Sequence, residues 1–122
     1  MRVIGIDDIS NPIRAPLGEL IYEMIGHPQE IGGTSKHSLA YVVIPPGFSS
    51  PAHYHNVSEE TYYILKGEAR MIIDGYEFML SPGQACLIMP GELHQIFNDR
   101  KVDLEFLAVS APAWTSDDSF EA

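Results

Sequence analysis

The sequence predicts an all-β domain, on three observations. Between Ser38 and Ser110, short runs rich in β-branched and aromatic residues follow one another, each cut off by Gly, Pro or Asn-Asp punctuation. Asp74-Gly75 stands between Met71-Ile72-Ile73 and Tyr76-Glu77-Phe78, the two-residue spacing of a type I′ hairpin whose turn needs positive φ at both positions. The runs recur at the interval of a sandwich or barrel, and 122 residues supply one core rather than two.

Taken in order, the first element is ambiguous by pattern. Leu17, Leu20, Ile21, Met24 and Ile25 fit a helical stripe, yet the segment lies between Gly18 and Gly26 and contains Ile21-Tyr22, which suits a strand buried on both faces. Seven residues make barely two helical turns, so a strand over Glu19 to Ile25 is expected, either lengthening a sheet or pairing across a dimer. The next strands are expected at Ser38 to Ile44, before Pro45-Pro46-Gly47, at Ala52 to His55, and at Glu59 to Lys66, before Gly67. Glu68 to Ile73 and Tyr76 to Leu80 form the hairpin, closed by Ser81-Pro82-Gly83. Ala85 to Met89, Leu93 to Phe97 and Val102 to Val109 complete the set. The alternating Ile64, Met71, Ile73, Phe78, Leu80, Ile88, Ile96 and Phe97 form the expected core. The whole chain reads as one domain: residues 1–37 an N-terminal strand or arm, 38–110 the barrel, and 111–122 an acidic tail packed loosely or frayed.

Composition narrows the functions. Apolar residues at 45% and charged residues at 20% exclude wholesale disorder and fibrous repeats. Seven Lys and Arg against seventeen Asp and Glu give a net charge of −10, which repels a phosphate backbone and an anionic membrane, so neither nucleic acid nor membrane is an expected partner. The lone cysteine, Cys86, excludes an intramolecular disulfide and lies in the apolar run Ala85 to Met89, where buried filler is its ordinary role. With no leader pattern at Met1 to Asp8 and no long apolar segment, a cytoplasmic location is expected.

Three of the five histidines carry the chemistry: His53 and His55, followed by Glu59-Glu60, and His94. On a strand His53 and His55 project to the same side and can grip one ion. Glu60 lies at an odd offset from His55, so Asn56-Val57-Ser58 must supply a turn or bulge that resets the parity. His94 joins them only if the intervening hairpins fold back, as they do in a closed barrel. Three imidazoles and a carboxylate suit Fe, Mn, Co, Ni or Zn and leave up to two positions of an octahedron open. Tyr62 shares parity with Glu60 and is a candidate catalytic residue facing the barrel interior, with a core aromatic as the equal alternative. Gln95 has the opposite parity from His94 and faces away; His27 and His37 belong to loops, and Asn98 to a turn.

These residues resemble the cupin superfamily. Its first motif, Gly-x5-His-x-His-x4-Glu-x6-Gly, is met by Gly47, His53, His55, Glu60 and Gly67. Its second, Gly-x5-Pro-x-Gly-x2-His-x3-Asn, is met by Gly83, Gly91, His94 and Asn98, with Met89 in the proline position and the proline displaced to Pro90. Fifteen residues separate the motifs, a gap similar to that of small single-domain microbial cupins. The resemblance implies a double-stranded β-helix, the cupin jelly-roll barrel, with metal ligands at His53, His55, Glu60 and His94. Glu59 competes with Glu60, because family spacing tolerates either; the six-residue gap to Gly67 favours Glu60, leaving Glu59 as a second, weaker catalytic candidate.

What the resemblance implies about activity is broader, since one barrel hosts many reactions. The first expectation is a metal-dependent enzyme, an oxidoreductase of dioxygenase type, using Fe or Mn in preference to Ni, Zn or Co on a small oxygenated metabolite. A sugar isomerase is the alternative within enzymes, disfavoured because no Arg and Lys cluster accompanies the site. A non-catalytic module that binds or senses a small molecule through the metal is the alternative outside them. The resemblance also implies a homodimer in which the strand Glu19 to Ile25 is added to the partner's sheet.

Overall fold

A computed structural model describes all 122 residues. Eleven strands, β1 (Ile13–Arg14), β2 (Leu20–Ile25), β3 (Ser38–Ile44), β4 (His53–Tyr54), β5 (Glu59–Lys66), β6 (Ala69–Ile73), β7 (Tyr76–Leu80), β8 (Ala85–Ile88), β9 (His94–Phe97), β10 (Leu104–Ala111) and β11 (Phe120–Glu121), form two antiparallel sheets. The larger sheet runs β1-β2-β3-β10-β5-β8 and the smaller β11-β4-β9-β6-β7. Neighbours such as β3 and β10 are far apart in sequence, so the sheets close face to face only when the whole chain is in place, which is the jelly-roll arrangement.

The hairpin forms as its turn chemistry requires. Asp74 and Gly75 adopt φ of 47° and 85°, and Ile73 pairs with Tyr76. The ambiguous segment resolves as the strand β2 over Leu20–Ile25, which lengthens the chain's own larger sheet through pairs such as Leu20 with Val43 and Tyr22 with Tyr41.

The interior is graded from apolar to polar. Inward residues of β3, β5, β6, β8, β9 and β10 pack as one cluster in which Ile44, Ile64, Ala69, Met71, Ile96, Leu104 and Phe106 are wholly buried. Truncating a core side chain as large as Phe106 costs about 3–5 kcal/mol through lost transfer energy and the cavity left behind. Cys86 lies in this cluster as filler. Along β5 the inward row passes from Ile64 through Tyr62 to Glu60, and the facing row of β10 passes from Phe106 through Ala108 to Ser110. One end of the barrel is therefore hydrocarbon and the other carries polar groups.

Two expectations about packing are corrected. Phe78 and Phe97 are not core: β7 is the edge strand of the smaller sheet and buries only Leu80, while Phe97 is half-buried under the Arg70 guanidinium, 4.0 Å from its ring centroid. The tail is not loose. Ala113 is buried, β11 pairs with β4, and the Phe120 ring stacks on Tyr54 at 5.4 Å. Its Asp118 carboxylate acts as a hydrogen-bond acceptor for the barrel, while Asp117 and Glu121 remain exposed.

Candidate metal centre

His53 lies on β4 and pairs across the sheet with His94 on β9, so register alone sets these two side by side, with ring centroids 4.2 Å apart. β4 ends at Tyr54, and the chain turns through Asn56, Val57 and Ser58 before β5. The Asp118 carboxylate accepts hydrogen bonds from the backbone N–H groups of all three turn residues, at 2.9 to 3.2 Å. That turn resets the parity and brings Glu60 inward; Glu59 falls on the exposed outer face, away from the cluster. At the other end, Gly91, with φ of 83°, donates its N–H to the carbonyl of His55 at 2.6 Å, which ties the Met89–Glu92 turn against the second histidine. The displaced Pro90 is accommodated in that turn, where the Glu92 carboxylate accepts from the Met89 N–H.

The four side chains meet. One ligand atom from each of His53, His55, Glu60 and His94 lies within 4.8 Å of the others. Every imidazole is oriented through its Nδ1: His53 donates to the carbonyl of Pro51 at 2.8 Å, His55 to that of Asp118 at 2.8 Å, and His94 to that of Glu92 at 2.9 Å. A carbonyl only accepts, so each neutral ring carries its proton on Nδ1 and turns the Nε2 lone pair to the centre. Glu60 is held in turn by the Ser110 hydroxyl, which donates to Oε2 at 2.9 Å.

The decisive feature is what Oε1 of Glu60 faces. Nε2 of His55 is 3.0 Å away and Nε2 of His94 is 3.3 Å away, yet these three buried atoms have no hydrogen-bond partner. Distances that admit a hydrogen bond are here contacts between acceptors, lone pair against lone pair. Such an arrangement calls for positive charge among them, a metal ion or a proton on His55, and buried acceptors without one carry a desolvation penalty of about 1–3 kcal/mol each. The residues fit a transition-metal ion of the nitrogen and oxygen class.

Electrostatics agree. Burial, with His94 close by, pushes His53 down to about 4, which keeps it neutral as a ligand must be. Burial opposes ionisation of Glu60, but the imidazoles of His55 and His94 outweigh it and hold the carboxyl far below its ordinary range. For His55 burial works downward and the Glu60 carboxylate beside it prevails, raising it. The cluster attracts positive charge.

A cavity of about 380 Å³ opens on the cluster. His53, Glu60 and Tyr62 form its floor, Ala108 and Ser110 of β10 one wall, alternate residues of β2 another, and Trp114 to Asp117 of the tail its rim. Tyr62 is buried with its ring edge-on to His94 at 6.0 Å and tilted on Phe106 at 4.8 Å, so it borders both the core and the cavity. Gln95 points away and donates to the carbonyl of Ser50. His37 is exposed, and His27 lies 3.3 Å from Glu23 at the cavity edge.

A family model described as a cupin domain matches residues 40–110, over half of the sequence. The chain belongs to the cupins. This cupin is 36% identical over 120 residues to an uncharacterized protein of Methanocaldococcus jannaschii, covering 98% of this chain and 94% of the relative. It is also 41% identical over 70 residues to the oxalate-binding protein of Thermotoga maritima, covering 57% of this chain and 58% of the relative. Among solved structures it is similar to a predicted oxalate decarboxylase from Thermotoga maritima, with a TM-score of 0.76, 28% identity, and coverage of 91% of this chain and 99% of that one.

Sequence reasoning missed Ser110, Asp118 and Glu19. Glu19, at the head of β2, is buried at 6% exposure, lines the cavity and has no hydrogen-bond or ion-pair partner for its carboxyl. The alternation of Glu19, Ile21 and Glu23 against Leu20, Tyr22 and Met24 was the available signal for a strand whose odd residues face a lined interior. No helix is long and apolar enough to cross a membrane.

Proposed function

We propose that this cupin holds one divalent transition-metal ion, Fe or Mn in preference to Ni, Zn or Co, through His53, His55, Glu60 and His94, and acts as a metal-dependent enzyme of oxidoreductase, dioxygenase-like type on a small oxygenated metabolite. The observation that carries the reading is the convergence of Nε2 of His55, Nε2 of His94 and Oε1 of Glu60 as buried, unpartnered acceptors beside a cavity. The ion supplies Lewis acidity toward oxygen atoms of the substrate and, for Fe or Mn, one-electron chemistry. The protein supplies the rest: Ser110 fixes the Glu60 carboxylate, three backbone carbonyls fix the imidazoles, and Tyr62 presents a hydroxyl beside the cluster. The apolar wall from Ile21, Val42 and Phe106 excludes water from the bound molecule.

Elemental analysis of freshly purified protein beside a His53→Ala/His55→Ala variant tests the metal. Near-stoichiometric Fe or Mn, lost in the variant, supports the reading and leads to oxygen-uptake screens with diketones, phenols and hydroxy acids. Ni or Zn redirects the screen to isomerisation and hydrolysis. No metal after reconstitution overturns it.

A second reading, a non-catalytic binding module, is favoured by the likeness to a relative named for binding oxalate. Steady turnover by the loaded protein, lost in His94→Ala, excludes it. We also propose a homodimer. The outer face of the larger sheet exposes Tyr63, Leu65, Leu87 and Val109 together, an apolar patch that a second copy could cover. Light scattering that returned 13.5 kDa would contradict it.

A further inference from the structure

The lining of the cavity is one-sided in charge. Besides Glu60 it includes Glu19, Glu23, Glu30 and Asp117, and no Arg or Lys. Glu23 is matched by His27, and Glu30 and Asp117 are exposed at the mouth, so Glu19 is the unmatched group inside. Of the cations near the motif strands, Lys66 is exposed at the end of β5 beside Glu105, and Arg70 lies outside the cavity over Phe97, engaged by Glu77 and Asp99. A divalent ion less the Glu60 charge leaves one positive charge, which a single anionic chelating group cancels. A second anionic group on the same molecule would then face Glu19 in a low-dielectric pocket, where like charges repel strongly.

A buried carboxyl aimed into a cavity with nothing to accept from is an acceptor waiting for a ligand. Burial and the neighbouring Glu60 push its carboxyl up to about 7, as befits a group without a protein partner. Resting on the reading of the cluster as a metal centre, we propose that the cavity takes a small molecule that chelates the metal at one end and carries a hydroxyl or ammonium donor, with no second anionic group, at the other. Glu19 is the specificity-determining residue that receives that donor.

The test uses cobalt(II)-loaded protein, whose visible bands report ligands entering the metal's coordination. Three probes share a metal-chelating dihydroxyphenyl ring and differ at the far end: dopamine (ammonium), 4-methylcatechol (uncharged) and 3,4-dihydroxybenzoate (carboxylate), titrated without oxygen at pH 8, above the value of about 7 at which Glu19 ionises, with oxalate as a compact dianion. Dopamine is expected to bind at least about tenfold more tightly than 3,4-dihydroxybenzoate, with 4-methylcatechol between them and oxalate weaker than dopamine. In Glu19→Gln, nearly the same shape without the charge, the dopamine to dihydroxybenzoate ratio should fall toward one. A ratio of one or below in the wild-type protein overturns the inference without recourse to any variant, as does an unchanged ratio in Glu19→Gln or bound cobalt that answers to no probe. Failure of cobalt to bind at all is read before any probe is added and overturns the metal reading itself, and this inference with it.

Discussion

The backbone carbonyl of Asp118 lies 2.8 Å from Nδ1 of His55, while the carboxylate of the same residue caps the turn that follows His55. One residue of the tail thus aims a ligand with its main chain and shapes the path to Glu60 with its side chain. The link is both structural and functional, and it yields the first prediction.

Asp118→Ala leaves the carbonyl but removes the cap over three N–H groups, and is expected to cost about 1–2 kcal/mol of stability. Burial opposes ionisation of the Asp118 carboxyl, but the N–H groups of Ser58, Asn56 and Val57 hold it below its ordinary value of 3.8. The cap is therefore fully present above pH 3.8 and is lost as pH falls through the lower, folded-state value. Thermal melts of both proteins from pH 7 down to pH 3 should converge in acid; equal stability at pH 7 would refute the cap.

Ser110→Ala removes the donor to Oε2 of Glu60 and leaves the packing of β10 nearly unchanged. Metal affinity is expected to fall by roughly tenfold to a hundredfold, as for other groups that orient ligands without touching the ion. Competition against a chromophoric chelator measures this, and unchanged affinity would mean that the histidines alone position Glu60.

Glu19 gives a pH signature in the metal-free protein. Its folded carboxyl stands at about 7 against an ordinary 4.5. The native state binds this proton more tightly than the unfolded chain, so stability is present below pH 4.5 and is lost as pH rises to about 7. Glu19→Gln should match the parent near pH 4 and exceed it at pH 8, by on the order of a few kcal/mol. Denaturant melts with metal removed decide it, and a variant no more stable at pH 8 would show that Glu19 has a partner.

Tyr62→Phe keeps the ring on Phe106 and against His94, so stability should change by less than about 1 kcal/mol. If the hydroxyl touches the substrate, kcat/KM falls while metal content and melting stay put. A variant with full activity would make Tyr62 a core aromatic only.

The cluster of His53, His55, Glu60 and His94 was legible because it is written at fixed offsets: the two histidines share a strand face, and the motifs supply Glu60 and His94. The hairpin was legible because Asp74-Gly75 states its own backbone angles. The supports were not. His53, His55 and His94 are oriented by carbonyl oxygens, which every residue has, so nothing in the sequence marks Pro51, Glu92 or Asp118 for the task. Ser110 meets Glu60 only through the register of β10 with β5, across a separation of 50 residues. Alternation in β7 sets Phe78 on the same face as the buried Leu80 without saying that the strand lies at the sheet edge, where the cover ends and Phe78 is exposed. Polarity marked the tail as solvent-facing, when one of its acidic groups, Asp118, caps the Asn56–Ser58 turn.

The separation of 63 positions from His55 to Asp118 also imposes an order on biosynthesis. A ribosome that has extruded both histidine motifs has delivered all four ligand side chains, yet His55 has no acceptor for its Nδ1 and the Asn56–Ser58 turn has no cap until Asp118 emerges. The cluster is accordingly supported on every side only once Asp118 has emerged, and a nascent chain stalled after β10 would display His55 and Glu60 in a half-built cradle.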